Sequence, residues 1–183
     1  MQIVLYLLQL VFFVLVGAAL MRAWMNFLRV QMSVQPGQFV MAVTDWMVKP
    51  MRRILPKPLL NSRLDWGSLL SAFLLCLAYV GVVLMVVGFG PLQASAAAWL
   101  LYILIGAGKF LLKVVIQGLT AVLFIYAILS WVQPQSPAMG ILHRLTEPLL
   151  RPIRKVVPLV GGIDLSVMIL MVLLQVLAMA LGV

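Results

Sequence analysis

Acidic side chains are a natural place to look for chemistry, and the chain has four: Asp45, Asp65, Glu147 and Asp164. Carboxylates run proton transfers when paired, and hold metals when clustered with His or Cys. Here the residues that would complete such a site are missing from the sequence. One histidine, His143, and one cysteine, Cys76, stand far apart, with no second His or Cys to build a zinc site. No serine-histidine-aspartate spacing, no CxxCH haem attachment and no glycine-rich phosphate loop behind a strand pattern occurs. Neither an enzyme nor a metal or cofactor protein is expected. His143 reads as an interface residue and Cys76 as a small packing residue. Asp65 and Asp164 do share a setting, since each opens a long apolar run. A carboxylate there complements a helix dipole and accepts hydrogen bonds from free backbone N–H groups. A cation or proton site, with Asp164 beside Arg154 and Asp65 beside Arg53, is the alternative. Against it, neither acid lies mid-run, where a coupled carrier usually places one.

The cations are the more abundant chemistry: thirteen Lys and Arg against those four acids, a net charge of +9. Seven fall in one connection (Arg22, Arg29, Lys49, Arg52, Arg53, Lys57, Arg63), two near the middle (Lys109, Lys113) and four in another (Arg144, Arg151, Arg154, Lys155). Lys49, Arg52, Arg53, Arg144, Arg151, Arg154 and Lys155 are the candidates for binding anionic lipid headgroups or protein partners. No nucleic-acid motif or aromatic platform accompanies them, so a nucleic-acid partner is not expected.

The elements that must position these charges follow from composition. Hydrophobic residues make up 65% of the chain and charged residues 9%, far outside the range of soluble domains. Uncharged runs cover Met1 to Met21, Trp66 to Gly108, Val114 to Gln133 and Leu165 to Val183, each about the length that crosses a bilayer or more. The first lacks a basic start and a small-x-small cleavage site and reads as a retained span. Positive charge marks cytoplasmic loops. Placing both basic connections there requires an even number of crossings between them, hence about four spans with both termini outside. Leu92 to Gly108, after the GFGP break, reads as an interfacial segment or the extended foot of the next helix. Lys109, Lys113 and Gln117 form a polar stripe at helical spacing, set against outer headgroups or a helix partner. Ser68, Ala72 and Cys76, and again Ala178 and Gly182, permit close helix approach, within the bundle or to other copies or other membrane proteins.

The basic connections repeat. Sliding the chain so that Thr44 falls on Thr146 lays TDWMVKPMRRILP on TEPLLRPIRKVVP. Asp45 then meets Glu147, Lys49 meets Arg151, Pro50 meets Pro152, Arg52 and Arg53 meet Arg154 and Lys155, and Pro56 meets Pro158. A little further on, Asp65 matches Asp164. The expected fold is therefore an all-α membrane protein of about four transmembrane helices. It comprises two tandem parallel repeats, 1–91 and 92–183, each with a cytoplasmic amphipathic segment containing Pro and Arg.

The order SPAMGILHRLTEPLLRPIRKVVPLVGGIDLS, with TDWMVKPMRRILP and LDWGS in the first copy, resembles the YggT family of small bacterial membrane proteins. The first copy departs from the pattern: Trp46 stands where the second has Pro148, and Lys57 to Leu60 replaces the Gly161-Gly162 turn. The resemblance implies an inner-membrane protein tied to osmotic stress and to division or envelope organisation. Through plastid relatives it also implies a cytochrome-assembly role. Assistance to membrane-protein assembly through partner and lipid contacts is the functional expectation; a small ion or solute pathway between the repeats is the alternative.

Within the second repeat segment, Ile141, Leu145, Leu149, Ile153 and Val156 follow helical spacing opposite the cations. Thr146 is placed to cap a helix with Glu147 in its first turn and Pro148 near its start, and Pro152 predicts a kink or a second short helix. In the first copy Val43, Met47, Pro50 and Ile54 are the expected apolar side. Three cations per copy near an anionic leaflet give at most about 6 kcal/mol of docking energy for the two.

Overall fold

The computed structural model describes residues 1–30, 37–56, 64–88, 96–155, 157 and 164–183. Every regular element in them is an α-helix: α1 (Gln2–Phe27), α2 (Gly37–Ile54), α3 (Trp66–Val87), α4 (Ala96–Val132), α5 (Pro137–Arg154) and α6 (Leu165–Leu181). α1, α3 and α4 are long and apolar enough to span a bilayer, and α6, at 17 residues, is a shorter apolar helix of the same kind. The architecture is thus an all-α membrane fold with three to four spans.

Local chemistry sets the ends. α3 and α6 begin on aspartates: the Asp65 carboxylate accepts from the Ser68 N–H at 3.3 Å and the Ser68 hydroxyl at 2.7 Å, and Asp164 accepts from the Ser166 N–H at 3.0 Å. α1 ends in a Schellman motif, in which the Val30 N–H reaches Met25 O and the Arg29 N–H reaches Asn26 O, each at 3.0 Å. Arg29 takes the left-handed position, φ 53°, that glycine usually fills. Val30 and Met25 pack together beneath it, the apolar contact that goes with the motif.

α5 starts earlier than the sequence suggests. Ser136 is its N-cap, accepting from the Met139 N–H at 3.2 Å, and Pro137 occupies the first turn. Thr146 is therefore no cap. It lies mid-helix, 1% exposed, with its hydroxyl donating to Leu142 O at 2.9 Å. Pro148 and Pro152 sit inside the helix, which continues to Arg154. Each proline removes one N–H bond, to the carbonyl of Arg144 and of Pro148. Arg144, Pro148 and Pro152 are all exposed, so the bonds are lost on the outer side of the helix, away from the packed Leu142, Leu145 and Leu150. In α2 the buried set is Gly37, Val40, Thr44 and Val48, while Pro50 and Ile54 of the expected apolar side are exposed and Val43 and Met47 half-buried.

α4 joins the two halves. Its 37 residues make a rod of about 55 Å, nearly twice the hydrocarbon thickness of about 30 Å. The foot from Ala96 is an extension of this helix rather than a separate segment. Ala107, Phe110 and Val114 complete a core with Val16 and Ala19 of α1 and Ala72, Cys76 and Val80 of α3. Further along, Leu123 and Tyr126 enter a second core with Leu142, Leu150 and Val167. The Ser68, Ala72 and Cys76 stripe is buried inside the first of these bundles. Between the cores a third contact joins the halves: Met25 and Val30 pack on Leu145, and the Trp24 indole N–H donates to Leu145 O at 3.2 Å.

Candidate functional site

The charged residues gather where the basic helices meet the ends of the spans. In the first half, Arg52 at the end of α2 donates to Asp65, the cap of α3, at 2.6 Å. A Cβ on Gly67 would meet the Arg52 Cγ at 2.7 Å, so the glycine gives the arginine stem room to reach the cap. Arg22, near the end of α1 and 5% exposed, donates through Nη1 to Thr44 Oγ1 at 2.8 Å and Asp45 Oδ1 at 2.7 Å. Its Nε lies 4.0 Å from Asp65 Oδ2, close enough for attraction but not for a hydrogen bond, and has no hydrogen-bond partner among the described residues. Lys49 closes the group on Asp45 at 2.7 Å.

In the second half a single arginine does the corresponding work. Arg154 holds Asp164 through Nε and Nη2 at 2.9 and 2.7 Å, holds Glu147 through Nη1 at 2.6 Å, and takes the Tyr126 hydroxyl at 3.2 Å. His143 Nε2 stands 3.6 Å from Glu147, an ion pair only when the imidazole is protonated. Thr44 and Thr146 are twins: both are buried, and each donates to the carbonyl four residues before it, Val40 O at 2.7 Å and Leu142 O at 2.9 Å.

These contacts set the electrostatics. Asp45 is held below its ordinary value by hydrogen bonds from Lys49 and then Arg22. Burial pushes Asp65 up, but the bonds from Arg52 and Ser68 together outweigh it and leave the carboxyl below its ordinary value. For Arg154, burial works against the charge, and Asp164 and Tyr126 more than restore it.

The seven candidate cations therefore divide. Arg52, Arg154 and Lys49 are engaged with acids. Arg53, Arg144, Arg151 and Lys155 are exposed and make no ion pair with the described residues. On α5, Arg144, Arg151 and Lys155 fall on one line opposite the buried Leu142, Leu145, Thr146 and Leu150. Pro50, Pro148 and Pro152 are exposed beside the free cations, and Pro56 follows α2. Pro158, Gly161 and Gly162 lie outside the described residues. Asp65 is paired with Arg52 and not with Arg53, which the sequence had set beside it. Among the described residues, no group of three or more His, Cys, Asp or Glu could hold a metal.

Two participants were missed in the sequence. Arg22 ends an uncharged run and reads as a loop cation, and Tyr126 is one more aromatic in a span. The repeat gave no signal for them: at the offset that lays Thr44 on Thr146, Arg22 falls on Phe124 and Tyr126 on Trp24.

Two bundles, each with a basic helix latched to an aspartate-capped apolar helix, define a multi-pass helical membrane protein built from a duplicated unit. Comparison gives the family. Residues 1–86 and 105–183 match the CCB3/YggT family model, and the chain belongs to that family. It is 38% identical over 161 residues to the uncharacterized protein YggT of Escherichia coli (strain K12), covering 87% of this chain and 79% of that one. It is 33% identical over 171 residues to an uncharacterized protein in the proC 3' region of Vibrio alginolyticus, covering 93% and 88%. No solved structure matches the chain.

Proposed function

We propose that the protein is a non-catalytic module of the bacterial inner membrane that assists the assembly of other membrane proteins. It would do so by holding an acidic segment of a partner on the outer face of α5. One observation carries this reading. All four acids are occupied by internal cations, while Arg144, Arg151 and Lys155 form an exposed line without a counter-charge from the described residues. A surplus of one sign on a rigid helix attracts and orients an oppositely charged partner. The positive-inside rule sets this face in the cytoplasm, with both termini outside. Roles in envelope organisation and osmotic-stress adaptation fit such a module. A conducting pathway is less well supported, because hydroxyls within the spans turn back on their own helices: Ser71 donates to Gly67 O and Thr120 to Ile116 O.

A photo-crosslinking amino acid in place of Pro148, introduced in living cells, tests the proposal. The expected result is a reproducible adduct with one membrane protein, lost in the double variant R151Q/K155Q while insertion is unchanged. Adducts with lipid alone, or an adduct indifferent to the double variant, would overturn it.

A further inference from the structure

Gln175 stands near the middle of α6, exposed, and makes no hydrogen bond with the described residues. It lies about 15 Å along the helix from its aspartate-capped start, half the hydrocarbon thickness of about 30 Å. A glutamine side chain cannot reach either headgroup layer from that depth, and an unsatisfied amide in hydrocarbon is costly. Gln9 and Gln117 differ. Counted from the ends of α1 and α4 nearest the basic helices, they lie about 27 and 22 Å away, toward the far headgroups. Gln175 is thus the amide that most needs a partner.

Its neighbours on the helix surface form a seam. Met168, Val172, Gln175 and Met179 are spaced four, three and four residues apart, and all are exposed. This is the spacing of a coiled-coil contact, with one polar residue at a core position. The side of α6 that packs within the chain is another one, where Val167, Leu170, Met171 and Leu174 turn to the second core.

The first half shows the same face covered. Laying Asp65 on Asp164 sets Cys76 on Gln175 and Val80 on Met179. Cys76 and Val80 are buried in the core that α4 completes, and a Cβ on Gly106 of α4 would meet the Val80 side chain at 3.3 Å. Met179, by contrast, is 84% exposed. One copy of the unit therefore buries this face beneath a helix and the other leaves it bare.

The chemistry of Gln175 selects the helix that fits. Its amide both donates and accepts, so it is complementary to itself. Copies inserted in the same direction pair about a two-fold axis along the membrane normal, which sets each seam residue opposite its twin at equal depth. Gln175 then meets Gln175, and the flexible Met168 and Met179 adapt to a close neighbour. We propose that the protein forms a two-fold dimer through this face of α6, held by hydrogen bonding between the two Gln175 amides. The dimer stands apart from the acidic partner of α5 and does not rest on it.

Energy transfer between labelled copies in liposomes, followed as lipid is added, tests this. The expected result is a dimer that dissociates on dilution, with Q175L dissociating about tenfold more readily. The thermal midpoint of monomeric Q175L holds or rises, whereas loss of an amide that served the monomer's own fold would lower it. Under mild oxidation in native membranes V172C is trapped as a disulfide-linked dimer, and L173C, exposed on another side of α6, is not. The native Cys76 is buried and does not compete. A protein that stays monomeric at high protein-to-lipid ratio, a dimer indifferent to Q175L, equal trapping by L173C, or trapping of V172C on a different protein would overturn the proposal. R151Q/K155Q leaves the dimer unchanged, so failure of this seam and failure of the partner face are separately visible.

Discussion

The two halves solve the same problem with different numbers of charges. Each must fasten a basic helix to the aspartate that opens the following span. The first uses Arg52 for Asp65 and brings in Arg22 from α1 for Asp45 and Thr44. The second gives Asp164 and Glu147 to Arg154 alone, which also donates to the Tyr126 hydroxyl. Duplication therefore preserved the latch but not its redundancy. In the first half, Asp45 keeps Lys49 if Arg22 is removed, and Asp65 keeps Arg22 at 4.0 Å if Arg52 is removed. In the second half no other arginine or lysine is engaged with either acid among the described residues. The outer faces differ as well. α2 exposes Phe39, Trp46 and Ile54 beside Lys49, Pro50 and Arg53, whereas the exposed face of α5 is lined by Arg144, Pro148, Arg151, Pro152 and Lys155.

This comparison breaks most readily at Arg154. R154Q leaves two carboxylates without their arginine in a partly buried site. It is expected to destabilise the protein by about 2–3 kcal/mol, between the costs of losing a surface pair and a buried one. R52Q is expected to cost about 1 kcal/mol, because Arg22 remains near Asp65. Thermal unfolding in detergent or nanodiscs ranks the two, and equal losses would remove the asymmetry. The double variant R22Q/R52Q then costs more than the sum of its singles, since each arginine covers for the other.

Acid gives a second, smaller effect. Asp45 and Asp65 sit below their ordinary value of 3.8 in the folded protein. Their stabilisation is therefore fully present above that value and is lost as the pH falls below it through the folded value. The unfolding midpoint should be flat near neutral pH and decline below about 3.8, with a shallower decline in D65N. An identical acid profile in D65N would show that the first latch does not contribute. The smallest effect belongs to Y126F, which removes one 3.2 Å hydrogen bond to Arg154. It is expected to cost about 0.5–1 kcal/mol in the same assay.

Much of this fold was legible in order. The apolar runs mark the spans, and the match of Thr44 to Thr146 reveals the duplication. The aspartates cap the helices as their positions suggest. What could not be read depends on contacts between elements. Arg22 looks like a loop cation because it ends an uncharged run, yet Asp45 and Thr44 on another helix draw it into the bundle. Thr146, followed by Glu147 and Pro148, carries the local signature of a helix start. Tertiary packing of Leu142, Leu145 and Leu150 extends the helix back to Pro137 and turns that threonine inward. The cations could be counted in the sequence, but their division into engaged and free required the partners' positions.

The length of α4 has a consequence for how the protein is made. A chain synthesised from its N-terminus has α1, α2 and α3 in place while Ala72, Cys76 and Val80, packed with Val16 and Ala19 of α1, still lack the cover that Ala107, Phe110 and Val114 provide. The first bundle is thus closed by a helix whose far end belongs to the second. A ribosome that stopped between the copies would release an unfinished half, so the duplicated unit has become, in biogenesis, indivisible.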